Sequence, residues 1–282
     1  MAITAADVKA LRERTGAGPM ECKNALSECG GDMDKAEKLL KEKGLAAAEK
    51  RADRATDQGR VTIKTHGKKA VLVETATETD FVARNPEFIA LGDVIASRAL
   101  EKGFNAPNEE LEALVKELAT KIRENMSLRR LAVIEAGADD LIESYIHGDG
   151  AIGVVLVVSS DKPAALEDGA VKSFVHDLAL HIAAFNPAAI SKDKIPAELV
   201  REQEEIFRKQ METDEKLAGK PAGVLEDILK RKVNKWLSEI CLLDQGFVKD
   251  DKLTAGKALA EAGKASGAAL TVKNYMYFKV GG

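Results

Sequence analysis

The sequence is poor in the residues that usually carry chemistry. Aromatic residues make up 4% of its 282 positions, and histidine occurs four times. A hydrolase or transferase needs a nucleophile, a base and a group to orient the base, and His66, His147, His176 and His181 supply no recognisable set. His176 and His181 lie five apart on a helical pattern, neither the spacing of a zinc-binding HExxH helix nor a shared face, and read as solvated or satisfied side chains. The three cysteines, Cys22, Cys29 and Cys241, are odd in number and lack metal-ligand spacing, which suits reduced core thiols. No phosphate loop and no strand-linked GxGxxG is present; "RTGAG" joins two helical patterns and lacks the lysine and Ser/Thr that hold phosphate and Mg²⁺. No resident metal and no cofactor is expected.

Other absences narrow the setting. Lys and Arg are not in excess, the net charge being −4, so direct nucleic-acid binding is disfavoured. No stretch of about 18 apolar residues occurs, so no membrane span is expected. The opening "MAITAADVKALRERTGAG" has neither the apolar core of a secretory signal nor the acid-free, Arg-rich face of a transit peptide. These features place the chain in the cytoplasm.

What is present is a foldable chain, 45% hydrophobic and 31% charged, long enough for two or three compact units. Residues 1–45 read as three short helices. Thr4 and Asp7 form a capping pair, Pro19 starts the second helix with Cys22, Ala25, Leu26 and Cys29 inward, and Asp32 caps a third that ends at Gly44. Residues 46–60, "AAAEKRADRATDQGR" and its flanks, have charges and alanines without an apolar face and read as a linker. Residues 61–140 give strands "RVTIKT" and "AVLVETA" around a hairpin signal "HGKK", then two amphipathic helices, the first opened by Asn85 and Pro86. In residues 141–190, "IHGDGAIGVV" aligns without gaps on "THGKKAVLVE" 81 residues earlier and also precedes an amphipathic helix.

Residues 191–240 are wholly helical in pattern, with "AGKPAG" breaking two charged arms, which predicts an antiparallel helical hairpin. Residues 241–282 then resume the second half, with "QGFVK" and "VKNYMYFKV" returning to its sheet. The fold class is α+β: an N-terminal three-helix module, a core of two similar antiparallel-sheet-plus-helix halves, and an inserted antiparallel helical hairpin.

One stretch fits neither core nor solvated loop. "TETDFVARN", residues 77–85, sets Phe81 beside Asp80 in the corner between a strand and a Pro-started helix. Either Phe81 packs at home, or the pair is meant for another molecule. Elsewhere "SLRRLAVIEA" sets two arginines beside an apolar strand, where pairing with nearby carboxylates is the plain reading.

The segments "LRERTGAGPMECKNAL", "ETATETDFVARN", "IRENMSLRRLAVIE", "YIHGDGAIGVVLVV", "AGKPAGVLEDILKRKVNKW" and "LLDQGFV" occur in the order found in one family. On these the chain resembles the bacterial elongation factor Ts proteins over nearly its whole length. The resemblance implies a guanine-nucleotide exchange factor, without covalent chemistry, for elongation factor Tu, the GTPase that delivers aminoacyl-tRNA. The factor would bind Tu in its GDP-bound and nucleotide-free forms. It further implies that the N-terminal module is ubiquitin-associated-like, and that Thr79, Asp80, Phe81 and Val82 dislodge Mg²⁺ in the partner. By the same resemblance, Arg12, Gly18 and Met20 lie against the GTPase domain, and His147 with Gly148 touches a distal domain. Pro19 stands where many relatives carry methionine, and the chain stops at "YFKVGG" where some continue into a further helix. A stand-alone hairpin adaptor and an enzyme are the readings that compete with it, and self-association through the hairpin is compatible with it.

Overall fold

A computed structural model describes residues 3–282. It is an α+β chain with small sheets, divided into two compact units. One comprises residues up to 134 with 148–153 and 278–282, the other residues 135–147 and 154–277.

The first unit opens with helices α1 (Ala5–Thr15), α2 (Pro19–Glu28) and α3 (Met33–Glu49), packed on one another around Leu11, Cys22, Ala25, Leu26 and Ala36. Their ends follow from the local chemistry. Thr4 and Asp7 form a reciprocal capping box, Gly16 closes α1 in the left-handed region (φ 67°), and Asp32 accepts from the Lys35 N–H to start α3. The three cysteines are free thiols.

Gly44 does not end α3, which continues through it to Glu49. Its role is steric: a Cβ there would lie 2.2 Å from Cγ2 of Thr120, on a helix packed against α3. Gly44→Ala is expected to lower stability by about 1 kcal/mol, an overpacking cost of roughly 1–3 kcal/mol less about 1 kcal/mol of helix propensity. Urea unfolding checks this, and Thr120→Ala in the same chain should recover the loss.

Strands β1 (Gln58–His66) and β2 (Lys69–Thr77) form an antiparallel hairpin, from Gln58 opposite Thr77 to His66 opposite Lys69. Helices α4 (Asp80–Ala83), α5 (Pro86–Lys102) and α6 (Glu109–Ile122) follow, and β3 (Met126–Glu135) completes a sheet in the order β1-β2-β3. Val71, Val73, Phe88, Ile95, Leu111 and Val115 make its core.

Strand β2 also carries a buried ion cluster, next in sequence to Val73 and so on the opposite face of the strand. Glu74 on β2 is fully buried; its Oε2 accepts from Arg130 Nε at 2.6 Å, its Oε1 accepts from the Gly281 N–H at 3.0 Å, and Arg129 lies 3.6 Å away. Arg130 also donates to the Lys279 carbonyl and lies over the Phe278 ring. The two arginines of "SLRRLAVIEA" thus pair with a carboxylate, as the plain reading expects.

Strands β4 (Leu141–His147), β5 (Ile152–Ser160) and β8 (Leu270–Lys279), all but the first two residues of β5 and the last two of β8 in the second unit, form a sheet in the order β4-β5-β8, with α7 (Gly169–Phe185) against β4. Val154 through Val158 are all buried, which explains why β5 reads as a continuous apolar run rather than an alternating one. Helices α8 (Ala197–Glu212) and α9 (Ala222–Ile240) share an apolar seam of Met211, Leu229, Val233 and Leu237.

The segment "QGFVK" departs from expectation. Only Gly246 and Phe247 are strand (β6), and they pair antiparallel with β7 (Asp250–Thr254) in a separate two-stranded sheet instead of joining the main one. The intervening residues 248–249 turn the chain back at once, so its neighbour is its own continuation. Helix α10 (Ala255–Ala265) lies between β7 and β8.

His181 on α7 is buried and satisfied. Its Nδ1 accepts from the Val248 N–H at 3.2 Å and its Nε2 lies 3.1 Å from Gln245 Oε1, an arrangement that suits the neutral Nε2–H tautomer. Burial holds its pKa below the ordinary 6.5. A lowered folded value means that its contribution is complete above the ordinary pKa and is lost as the pH falls from there through the folded value. Stability measured by urea between pH 7 and pH 5 is expected to decline, and His181→Gln should flatten that decline.

Among the described residues, no helix is long and apolar enough to cross a membrane, and no group of three His, Cys, Asp or Glu side chains could hold a metal.

Candidate functional site

The corner after β2 is a capped four-residue helix. Thr79 is extended (φ −121°, ψ 153°), and its Oγ1 accepts from the Val82 N–H at 3.3 Å, so α4 starts at Asp80. Two residues past its end, Asn85 caps α5 by accepting from the Glu87 N–H at 2.8 Å, with Pro86 in the first helical position.

This tight connection decides where the side chains go. Val82 is buried in the core of the first sheet unit, and its neighbour on so short a helix, about 100° around the axis, is turned outward. Phe81 is accordingly 82% exposed, the most exposed large hydrophobic side chain among the described residues. Asp80 meets Arg84 at 3.4 Å, and both side chains are about half exposed or more, so the pair does little to neutralise the carboxylate. Thr79 and Val82 act as scaffold, while Asp80 and Phe81 are displayed.

A further residue holds the corner and carries no signal in the local sequence. Glu124, 45 positions after Thr79, accepts from Thr79 Oγ1 at 2.7 Å with Oε1, and from the Thr79 N–H at 3.1 Å and Thr77 Oγ1 at 2.9 Å with Oε2. Its neighbour Asn125 donates its N–H to Glu78 Oε1 at 2.6 Å, and its side chain bridges the Ala52 and Arg54 carbonyls. Only the pairing of a helix end with a strand end across the fold brings these residues together.

The N-terminal set belongs to the same unit. Arg12 is exposed on the last turn of α1, and Met20 is 65% exposed at the start of α2. Gly18 caps α2 and donates its N–H to Glu21 Oε2 at 2.9 Å. Glu21 also pairs with Arg123, and the Gly18 N–H and the guanidinium together hold its carboxyl below the ordinary range. The three consecutive residues Arg123, Glu124 and Asn125 therefore bond to the residues that flank both sets, Glu21 beside Met20 and Thr77, Glu78 and Thr79 beside Asp80.

His147 ends β4 and belongs to the other unit. The Tyr145 hydroxyl lies 3.0 Å from its Nδ1, and the Tyr145 ring meets His176 edge-on, with His176 2.9 Å from Glu143. Gly148 follows in the left-handed region (φ 58°), where a turn is needed that most side chains resist.

The chain is similar to known proteins along its whole length. A family model described as "Elongation factor TS" matches residues 78–282, beginning one residue before Thr79. The elongation factor Ts of Treponema denticola is 50% identical over 281 residues, covering all of this chain and 99% of that protein. That of Treponema pallidum is 47% identical over 292 residues, and that of Borrelia hermsii 39% identical over 282 residues and the full length of both chains. An α+β chain with these matches is a bacterial protein of translation elongation. It belongs to the elongation factor Ts family.

Proposed function

We propose that this chain releases GDP from elongation factor Tu by binding the nucleotide-free GTPase more tightly than the GDP-bound one. The observation that carries the reading is the display of Phe81 and Asp80 on a capped corner whose other side chains are buried or bonded.

A factor speeds nucleotide release only through such a preference, and each tenfold weakening of GDP needs about 1.4 kcal/mol of it. Burying the Phe81 ring in a crevice of the partner contributes about 1.5–3 kcal/mol. Asp80 brings a carboxylate beside the groups that position the partner's Mg²⁺, and competes for their hydrogen bonds. Thr79 and Val82 hold the pair in place. Arg12, Gly18 and Met20 form a second contact with the GTPase domain, Met20 as an adaptable apolar side chain. His147 and Gly148 touch a distal domain. On this reading the chain acts in the cytoplasm and makes or breaks no covalent bond.

The architecture that suits this role has an N-terminal module like a ubiquitin-associated domain, whose third helix runs past residue 45 to Glu49, a linker from there to the start of β1 at Gln58, and core halves in the residues from there to 140 and in 141–190 with 241–282. The helices α8 and α9 form a hairpin inserted in the second half, residues 191–240.

The test is stopped-flow release of a fluorescent GDP from Tu chased with excess GDP. Addition of the chain is expected to accelerate release in proportion to its concentration until saturation. An unchanged release rate would sink the exchange role.

A further inference from the structure

We propose that Glu124 is a positioning residue for the Asp80 and Phe81 pair, an inference that rests on the exchange role proposed for that pair. It touches neither side chain. It acts through Thr79, whose hydroxyl has two tasks: its lone pair caps the Val82 N–H, and its proton must go elsewhere. Glu124 Oε1, at 2.7 Å, accepts the hydrogen bond that this O–H donates and so fixes the rotor with a lone pair aimed at Val82. Oε2 takes the Thr79 N–H and the Thr77 hydroxyl, tying the end of β2 to the same carboxylate. Bonds of this kind, to an ionised acceptor, are among the stronger ones available to a half-buried site.

A helix of four residues cannot sustain itself by its own hydrogen bonds. Helix α4 exists because both its ends are held: Val82 is sunk in the core, and Thr79 is gripped by Glu124. The direction of the Phe81 ring is therefore set at Glu124. The grip is reciprocal, since the Asn125 N–H returns a bond to Glu78 between the two threonines.

Glu124 is itself placed by an uncommon backbone. Arg123 closes α6 in the left-handed region (φ 70°), where glycine is the usual occupant. An arginine suits the position because its guanidinium reaches Glu21, which holds the Gly18 N–H. One turn of chain thereby anchors the exchange corner with its side chain at 124 and the N-terminal contact with its side chain at 123.

The experiment uses the full chain carrying Glu124→Gln, which keeps the shape but puts a donor where an acceptor is needed, with Glu124→Ala alongside. Amide hydrogen exchange at Thr79 and Val82 is expected to rise in both variants. GDP release from Tu at saturating chain is expected to fall about tenfold, the usual size of coupling between residues in one network. In a chain already carrying Asp80→Ala and Phe81→Ala, Glu124→Gln should cost nothing further, an outcome that mere loss of stability would not give. Full exchange activity in both Glu124 variants, or a loss that multiplies that of the double variant, overturns the proposal. If Asp80→Ala with Phe81→Ala itself leaves exchange unchanged, the role of the pair fails instead. Amide exchange at Thr79 and Val82 then still decides whether Glu124 holds the corner, and unchanged protection there would refute it.

Discussion

Phe81→Ala is expected to weaken the hold of this chain on nucleotide-free Tu by about 10- to 100-fold, the equivalent of about 1.5–3 kcal/mol of ring burial. Its own stability should be unaffected within about 0.5 kcal/mol, because the ring is 82% exposed and contributes little to the folded chain. This separation of effects is the signature of a side chain whose core lies on another molecule. Asp80→Ala should behave differently. Its expected effect is on the rate of GDP release at saturation more than on affinity, because disturbing the metal site is a task separate from holding on. Titration of the variants against Tu, with release rates read at each concentration, gives both quantities. Unchanged affinity in Phe81→Ala together with unchanged maximal rate in Asp80→Ala would refute the assignment of the site.

The second large effect is on stability. Glu74→Ala is expected to destabilise the chain by about 3 kcal/mol, the lower end of the cost of removing one partner from a buried ion cluster. Glu74 is fully buried, while Arg129 and Arg130 keep about a third of their side-chain exposure, so some of the loss is recovered by water. The Gly281 N–H would lose its acceptor as well. Glu74→Leu, which fills the space but leaves the same cations unpaired, should not restore the wild-type value. A urea midpoint for Glu74→Ala equal to that of the parent chain would contradict this account.

Much of the architecture was legible because it rests on local signals. The capping box at Thr4 and Asp7, Pro19, Asp32, and Asn85 with Pro86 each mark a helix start that is found in place. Hydrophobic period and the "HGKK" turn gave β1 and β2. Misreadings arose where a distant contact outweighs a local rule. Gly44 reads as a stop signal, yet its smallness serves the close approach of Thr120, a contact invisible in a linear pattern. "QGFVK" reads as a strand, but its partner β7 is a charged run with no strand signature, so the separate sheet was not expected.

The site divides in the same way. That Phe81 with Asp80 is a misfit was readable from composition and context, since a ring beside a carboxylate suits neither a core nor a loop. The reason the misfit is stable was not, because Glu124 lies beyond three helices and sits in no recognisable spacing with Thr79. Arg123 carried no warning either: a left-handed arginine at a helix end is a consequence of what its side chain reaches, Glu21, and that too is set by tertiary packing.

The most direct test of the exchange role is thermodynamic. The affinity of the chain for Tu is measured twice by calorimetry, once with the GTPase free of nucleotide and once saturated with GDP, beside the affinity of Tu for GDP with and without the chain. Because coupling between two ligands is reciprocal, the expected result is that GDP weakens the chain by the same factor as the chain weakens GDP, and that this factor is well above one. Equal affinity of the chain for the two forms of Tu would contradict an exchange function outright.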